Sequence, residues 1–198
     1  MADAAGGPIR LLPRLREVVA AHYPGTKIAI SEYNYGRTGD ISGGVAQADV
    51  LGIFGREEVF AAAFWPLANP YASDYGGSGA KAYAYAFGAF RMYLNYDGEG
   101  GRFGDTGLRT TTSDPATTSA YASLDAAGRV VIVAINKLGE QRVATFRIAA
   151  PTEMHGARVF TLTGASPMPQ AIGTLTVRGN VLAYPMPPLS VSTIVLAP

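Results

Sequence analysis

The sequence predicts an α/β unit followed by an all-β unit, and two observations carry that prediction. As far as about Asn95, helical periods alternate with short apolar runs, in the order helix, strand, helix, strand, helix. Strands that alternate with helices in this way pair in parallel, each helix crossing back over the sheet. After "NYDGEGG" the apolar residues recur at every second position, in short runs separated by turns such as "AAG" and "LGE". Strands at intervals of about ten residues are the pattern of an antiparallel β-sandwich. The expected division is 1–97 and 98–198.

Each element has its own signal. Leu11, Leu15, Val18 and His22 share one face of a first helix, with Pro13 tolerated in its first turn. "YPGTK" stops that helix, and "KIAI" reads as a short buried strand leading to Glu32. Ala46, Val50, Ile53 and Phe54 share a face of a second helix, which runs into the charged "GREE". "VFAAAFW" is a second buried strand, ending at Trp65. The glycine-rich "SDYGGSG" opens a third helix lined by Tyr83, Phe87, Phe90 and Leu94. The all-β unit then offers six strands: "SAYASLD", "RVVIVAIN", "QRVATFRIA", "ARVFTL", "VLAYPM" and "SVSTIVL".

Composition excludes several functions. At 198 residues the chain has ample core for one large or two small domains, and 48% of its residues are apolar. Net charge is +1 with no basic run, so nucleic acid is not an expected partner. The absence of cysteine removes disulfides, thiolate chemistry and Cys-rich zinc sites. The N-terminal "MADAAGGPIR" has no apolar signal-peptide core. The longest apolar stretch, residues 59–67, is too short to span a bilayer, so no membrane partner is expected.

The chemistry concentrates in "ISEYNYG", residues 30–36. The carboxyl ends of parallel strands are where α/β folds keep their reactive groups. Glu32 ends one such strand and Trp65 the other. A carboxylate among aromatics suits sugar chemistry, because glycosidases use paired carboxylates and aromatic faces stack on pyranose rings. On the residues alone, Glu32 reads equally well as a structural carboxylate held by an arginine or a backbone N–H. Tyr33 and Tyr35 are expected on opposite sides of the chain, so that at most one faces the site.

Other candidates read as structural. Glu57 and Glu58 sit solvated at a helix end, Asp105 in "FGDT" is a turn residue, and Asp49 lies on a helix face. Asp40 or Asp74 could coordinate a structural calcium, a weak signal. His22 and His155 lack zinc spacing. "DYGGSG" has neither the Lys-Ser/Thr of a P-loop nor dinucleotide spacing. Tyr83, Tyr85, Phe87 and Phe90 read as helix packing. Tyr121, Phe146, Phe160 and Tyr184 fall within strands as core, which argues against an independent sugar-binding module.

The segments "PIRLLPRLREVVAAHYPGTKIAISEYNYG", "ISGGVAQADVLGIFGREEVFAAAFWPL", "AFRMYLNYDGEGGRFGDT" and "PPLSVSTIVL" resemble the C-terminal part of family 44 glycoside hydrolases, and the resemblance runs through nearly the whole chain. That family implies retaining endo-β-1,4-glucanase or xyloglucanase activity on a (β/α)8 barrel followed by a β-sandwich. This chain then carries a partial barrel, its last two βα units. The resemblance makes Glu32 the nucleophile at the end of the seventh strand and Trp65 the aromatic floor at the end of the eighth. By position, Tyr33 and Asn34 read equally as substrate-binding residues or as wall packing. It implies no cofactor, a β-glucan polysaccharide as partner and a secreted parent protein. The family's acid/base glutamate lies in an Asn-Glu-Pro-type segment, and here the only "NP", Asn69-Pro70, has no glutamate before it. The expectation is a chain inactive alone, which self-associates or joins the missing N-terminal barrel part. The alternative is a non-catalytic fragment, or a sandwich module that binds polysaccharide or protein.

Overall fold

The computed structural model describes residues 9–65 and 82–198. The expected glycine-rich opening of the third helix, Asp74 and Asn69-Pro70 lie outside the described residues. Element order is α1 (Leu11–His22), β1 (Ala29–Tyr33), α2 (Ile41–Arg56), β2 (Ala61–Phe64), α3 (Ala84–Leu94), then β3 (Thr106–Leu108), β4 (Thr118–Leu124), β5 (Val130–Asn136), β6 (Arg142–Arg147), β7 (Gly156–Thr163), β8 (Ser166–Thr176), β9 (Val181–Met186) and β10 (Ser190–Ala197).

Most of the structure is antiparallel β. One sheet of six strands runs in the order β3-β4-β5-β10-β7-β8, and β6-β9 forms a separate pair facing it. Val130, Ile132, Val159, Ile194 and Leu196 of the large sheet meet Leu182, Tyr184 and Met186 of β9 in one apolar core. The opposite face of the same sheet, with Val133, Ile135, Leu162 and Val191, is covered by Val45 and Ala48 of α2 and by Ala89, Met92 and Tyr93 of α3. β5 is therefore buried along its whole length, which is why "VVIVAI", all of it but the closing Asn136, is a continuous apolar run and not an alternating one.

Beyond the helices lies a smaller layer. β1 and β2 pair in parallel, with α2 as the connection between them. Both strands were expected to be buried, but every residue of β2 except Phe64 is exposed, and in β1 only Tyr33 is buried. The reason is that α2 and α3 cover one face of this pair and nothing among the described residues covers the other.

Three further expectations are corrected. Two strands lie outside the sequence expectation: β3, which is only three residues long, and β8, an edge strand carrying Pro167, Pro169 and Gly173. Proline lacks the ladder N–H and is confined to edges, so β8 has a breaker-rich sequence in a place that tolerates it. In α2 the buried set is Gly43, Gly44, Val45, Gln47, Ala48, Gly52 and Phe54, so of the expected face only Phe54 is buried. Gly52 sits against the Tyr121 ring, where an added Cβ would come within 2.2 Å of it. In α3 the buried residues are Ala86, Gly88, Ala89, Met92 and Tyr93, while Phe87 and Leu94 of the expected stripe are exposed.

Polar groups tie these layers together. Tyr121 of β4 donates to Asp49 of α2 at 2.7 Å, and Lys137 pairs with the same carboxylate at 2.8 Å. Burial, then the bond to Asp49, pushes the Tyr121 phenol up. Thr193 donates to the Met92 carbonyl at 2.7 Å, joining β10 to α3.

Candidate active site

The end of β1 departs from a regular ladder. Ala29 and Ile30 pair with Ala61 and Ala62, but the next partners are Tyr33 and Phe64. Ser31 and Glu32 therefore oppose Ala63 alone, an extra residue on β1. Such a bulge twists a strand locally and re-aims the side chain it carries. It falls on the one carboxylate of this strand.

Tyr33 anchors the far side of the bulge. Its ring packs edge-on against Phe54 at 5.1 Å and Phe64 at 5.6 Å, and its hydroxyl accepts a bond from the Gln47 amide at 2.8 Å. Burial pushes its phenol up. Because neighbouring residues of an extended chain point to opposite faces, Tyr33 turned toward α2 leaves Glu32 on the uncovered face. Glu32 is exposed there. Tyr35 is not on the opposite side from Tyr33, as expected. The two rings lie 6.1 Å apart, since residues two apart share a side.

Trp65 follows β2 directly and is 47% exposed. Its N–H donates to the Tyr33 carbonyl at 2.9 Å. Its own carbonyl accepts a bond from the Asn34 side-chain amide at 2.7 Å. The Asn34 side-chain oxygen Oδ1 accepts the Gly36 N–H at 2.7 Å, closing a turn in which Gly36 takes φ +76°, open to glycine at little cost. The structure brings Glu32, Tyr33, Asn34 and Trp65 together at the ends of β1 and β2, with Tyr33 and Asn34 engaged by protein partners.

The loop after this turn is fixed as well. Asp40 caps α2, accepting from the Ser42 N–H at 2.8 Å and the Ser42 hydroxyl at 2.6 Å, and it pairs with Arg37 at 2.6 Å. The Ser42 hydroxyl first, and then Arg37, hold its carboxyl down at about 2. The Thr38 carbonyl accepts the Tyr85 and Ala86 N–H groups at 3.1 Å, and the Thr38 hydroxyl donates to the Ala82 carbonyl at 2.6 Å.

Glu57 and Glu58 follow α2 at the other end of its path, away from the carboxyl ends of the strands. Glu57 is not solvated as expected: its side chain is 14% exposed and pairs with Arg16 at 3.2 Å and Arg56 at 3.1 Å, fastening α1 to α2. Gln47 and the bulge escaped the sequence. A glutamine within a helix carries no motif, and a bulge is defined by the partner strand's register.

Chemically, an exposed carboxylate beside a half-exposed indole at the carboxyl ends of two adjacent parallel strands can attack an electrophilic carbon and stack a sugar ring. Glu32 is the one carboxylate of β1 and β2.

The chain is 36% identical over 191 residues to endoglucanase A of Paenibacillus lautus, a match covering 94% of this chain and 25% of that protein. Among solved structures, it superposes on a family 44 xyloglucanase of Paenibacillus polymyxa with a TM-score of 0.86 and 34% identity. The match to a family 44 endoglucanase of Clostridium thermocellum has a TM-score of 0.84, also at 34% identity. In those two comparisons 95% and 94% of this chain is covered, but in each only 35% of the other. No protein-family model matches. The resemblance to family 44 glycoside hydrolases is therefore present in both sequence and fold, and the chain spans about a third of the solved structures it matches. No helix among the described residues is long and apolar enough to cross a membrane.

Proposed function

We propose that this chain, alike to family 44 glycoside hydrolases over nearly its whole length, carries the nucleophile half of a retaining endo-β-1,4-glucanase site. The observation that supports this most is Glu32 itself: an exposed carboxylate at a bulge, at the carboxyl end of a parallel strand, next to Trp65 on the neighbouring strand. In this reading β1, α2, β2 and α3 are the last two units of a (β/α)8 barrel, residues 98–198 form the sandwich domain, and the bare face of β1 and β2 meets the rest of the barrel. The substrate is a β-1,4-glucan such as cellulose or xyloglucan, acted on outside the cell because such polymers do not enter it.

Glu32 attacks the anomeric carbon, forming a glycosyl ester while the leaving sugar oxygen takes a proton. Water then hydrolyses the ester with net retention. The proton donor is a second carboxyl, about 5 to 5.5 Å away in retaining enzymes, supplied by the remaining barrel. Lacking that acid, the chain alone loses roughly 10²- to 10⁴-fold and hydrolyses no glucan at a useful rate. Its bare strand edges and apolar faces favour self-association, which light scattering reads as a mass above 20.7 kDa.

The test restores the missing part. The chain is fused in place of the corresponding third of a family 44 xyloglucanase, and reducing-sugar release from xyloglucan is measured. The fusion turns over, and Glu32→Gln in it removes nearly all activity with the fold intact. A variant retaining a tenth of the activity would refute the assignment.

A further inference from the structure

We propose that Asn34 is a positioning residue of this site: its side-chain amide clamps the Trp65 main chain to the end of β1 and thereby sets the angle between the indole and the Glu32 carboxylate. The proposal rests on the glucanase reading above.

The bulge at Ser31 and Glu32 releases the carboxylate from the regular pleat, but it also loosens the pairing of β1 with β2 just where two side chains must be held in register. Beyond it, the Trp65 N–H is taken by the Tyr33 carbonyl at 2.9 Å and the Trp65 carbonyl by the Asn34 amide at 2.7 Å. Trp65 is thus gripped at both of its main-chain polar groups by two consecutive residues that directly follow Glu32. The clamp is itself held: the Gly36 N–H donates to the Asn34 side-chain oxygen at 2.7 Å and fixes the rotamer of the amide. Tyr33 cannot give way either, since Gln47, Phe54 and Phe64 hold its side chain.

The side-chain oxygen and one of the two amide N–H groups of Asn34 are committed to main chain. Its role is therefore to orient its neighbours, and a sugar hydroxyl is not what it is built to grip. Productive sites tolerate errors of only about 0.5 Å and 10–20°, so the rigidity of the Trp65 backbone bears on turnover. The chemistry also names the discriminating substitution. Asn34→Asp still accepts the Gly36 N–H but cannot donate to the Trp65 carbonyl, so it keeps the turn and loses the clamp.

Trp65 is the only tryptophan of the chain, so intrinsic fluorescence reports on it alone. Acrylamide quenching and anisotropy are measured on the 198-residue chain and on its Asn34→Asp and Asn34→Ala variants, with thermal melting of each as the control for folding. Both variants raise the quenching constant and lower the anisotropy, while the main melting transition stays in place. In the xyloglucanase fusion, both lower kcat by about two- to tenfold, the range one lost hydrogen bond represents. Asn34→Asp with unchanged Trp65 quenching and unchanged kcat overturns the proposal, as does a fall in melting temperature with quenching at 25 °C unaltered. Failure of the glucanase reading is seen separately, as activity surviving Glu32→Gln.

Discussion

β5 and β2 both carry uninterrupted apolar runs, "VVIVAI" and "AAAF", yet the first is buried along its length while the second is exposed except at Phe64. The difference lies in what covers them, not in their own residues. β5 has helices on one face and the β6-β9 pair on the other. The β1-β2 pair has helices on one face only. An apolar strand therefore records how many faces the whole protein covers, whichever part of the protein supplies the cover. The well-covered region provides the stability. The half-covered region holds the exposed carboxylate and indole.

The largest expected effect is in the covered sheet. Ile194 of β10 is fully buried in the core shared with β9. Ile194→Ala should cost about 2 to 5 kcal/mol in urea unfolding, the range for a large-to-small core change. A cost under about 1 kcal/mol would mean that this sheet is not the stabilising centre, and the comparison would fail.

An intermediate effect comes from α2, the helix that belongs to both regions. Asp40→Ala removes its N-cap and should cost about 0.5 to 2 kcal/mol. The cap also gives a pH signature. Its folded carboxyl lies at about 2, below the ordinary 3.8, so the charged form is the one that stabilises. That contribution is complete above about pH 4 and is lost as pH falls from 3.8 toward 2. Asp40→Asn keeps a capping side chain and should flatten this part of the melting-temperature profile. An unchanged profile would assign the acid sensitivity to other carboxylates.

The smallest effect is expected in α1, which has no buried residue and where Val18 is 55% exposed. Val18→Ala should stay within about 0.5 kcal/mol of the parent chain. A loss above about 1.5 kcal/mol would show that in solution this apolar stripe is covered, most simply by a second copy.

Much of this architecture was legible in the sequence because helix starts, turns and period-two runs are local signals. All three helices and six of the sandwich strands fall where the pattern puts them, within the usual drift at their ends. What stayed hidden is what depends on the partner. The buried side of α2 includes Gly44, which lies against Tyr85 of α3, and Gly52, which lies against Tyr121 of the sheet; neither carries a hydropathy signal, and both are selected by close approach. β8 was masked by prolines that only an edge position tolerates. At the site, a carboxylate ending an apolar run could be read directly, and so could the indole on the next strand. The bulge that turns Glu32 and the amide that holds Trp65 could not, because each exists only between β1 and β2.

In the proposed function, Glu32 is the group that bonds to the sugar. This assignment is tested most directly by trapping that bond. A 2-deoxy-2-fluoro-β-cellobioside with a dinitrophenolate leaving group is incubated with the xyloglucanase fusion, and the peptides are mapped by mass. The expected result is loss of dinitrophenolate and one fluorinated glycosyl ester, located on the peptide containing Glu32 and absent from the Glu32→Gln fusion. An active fusion labelled on any other carboxylate would contradict it.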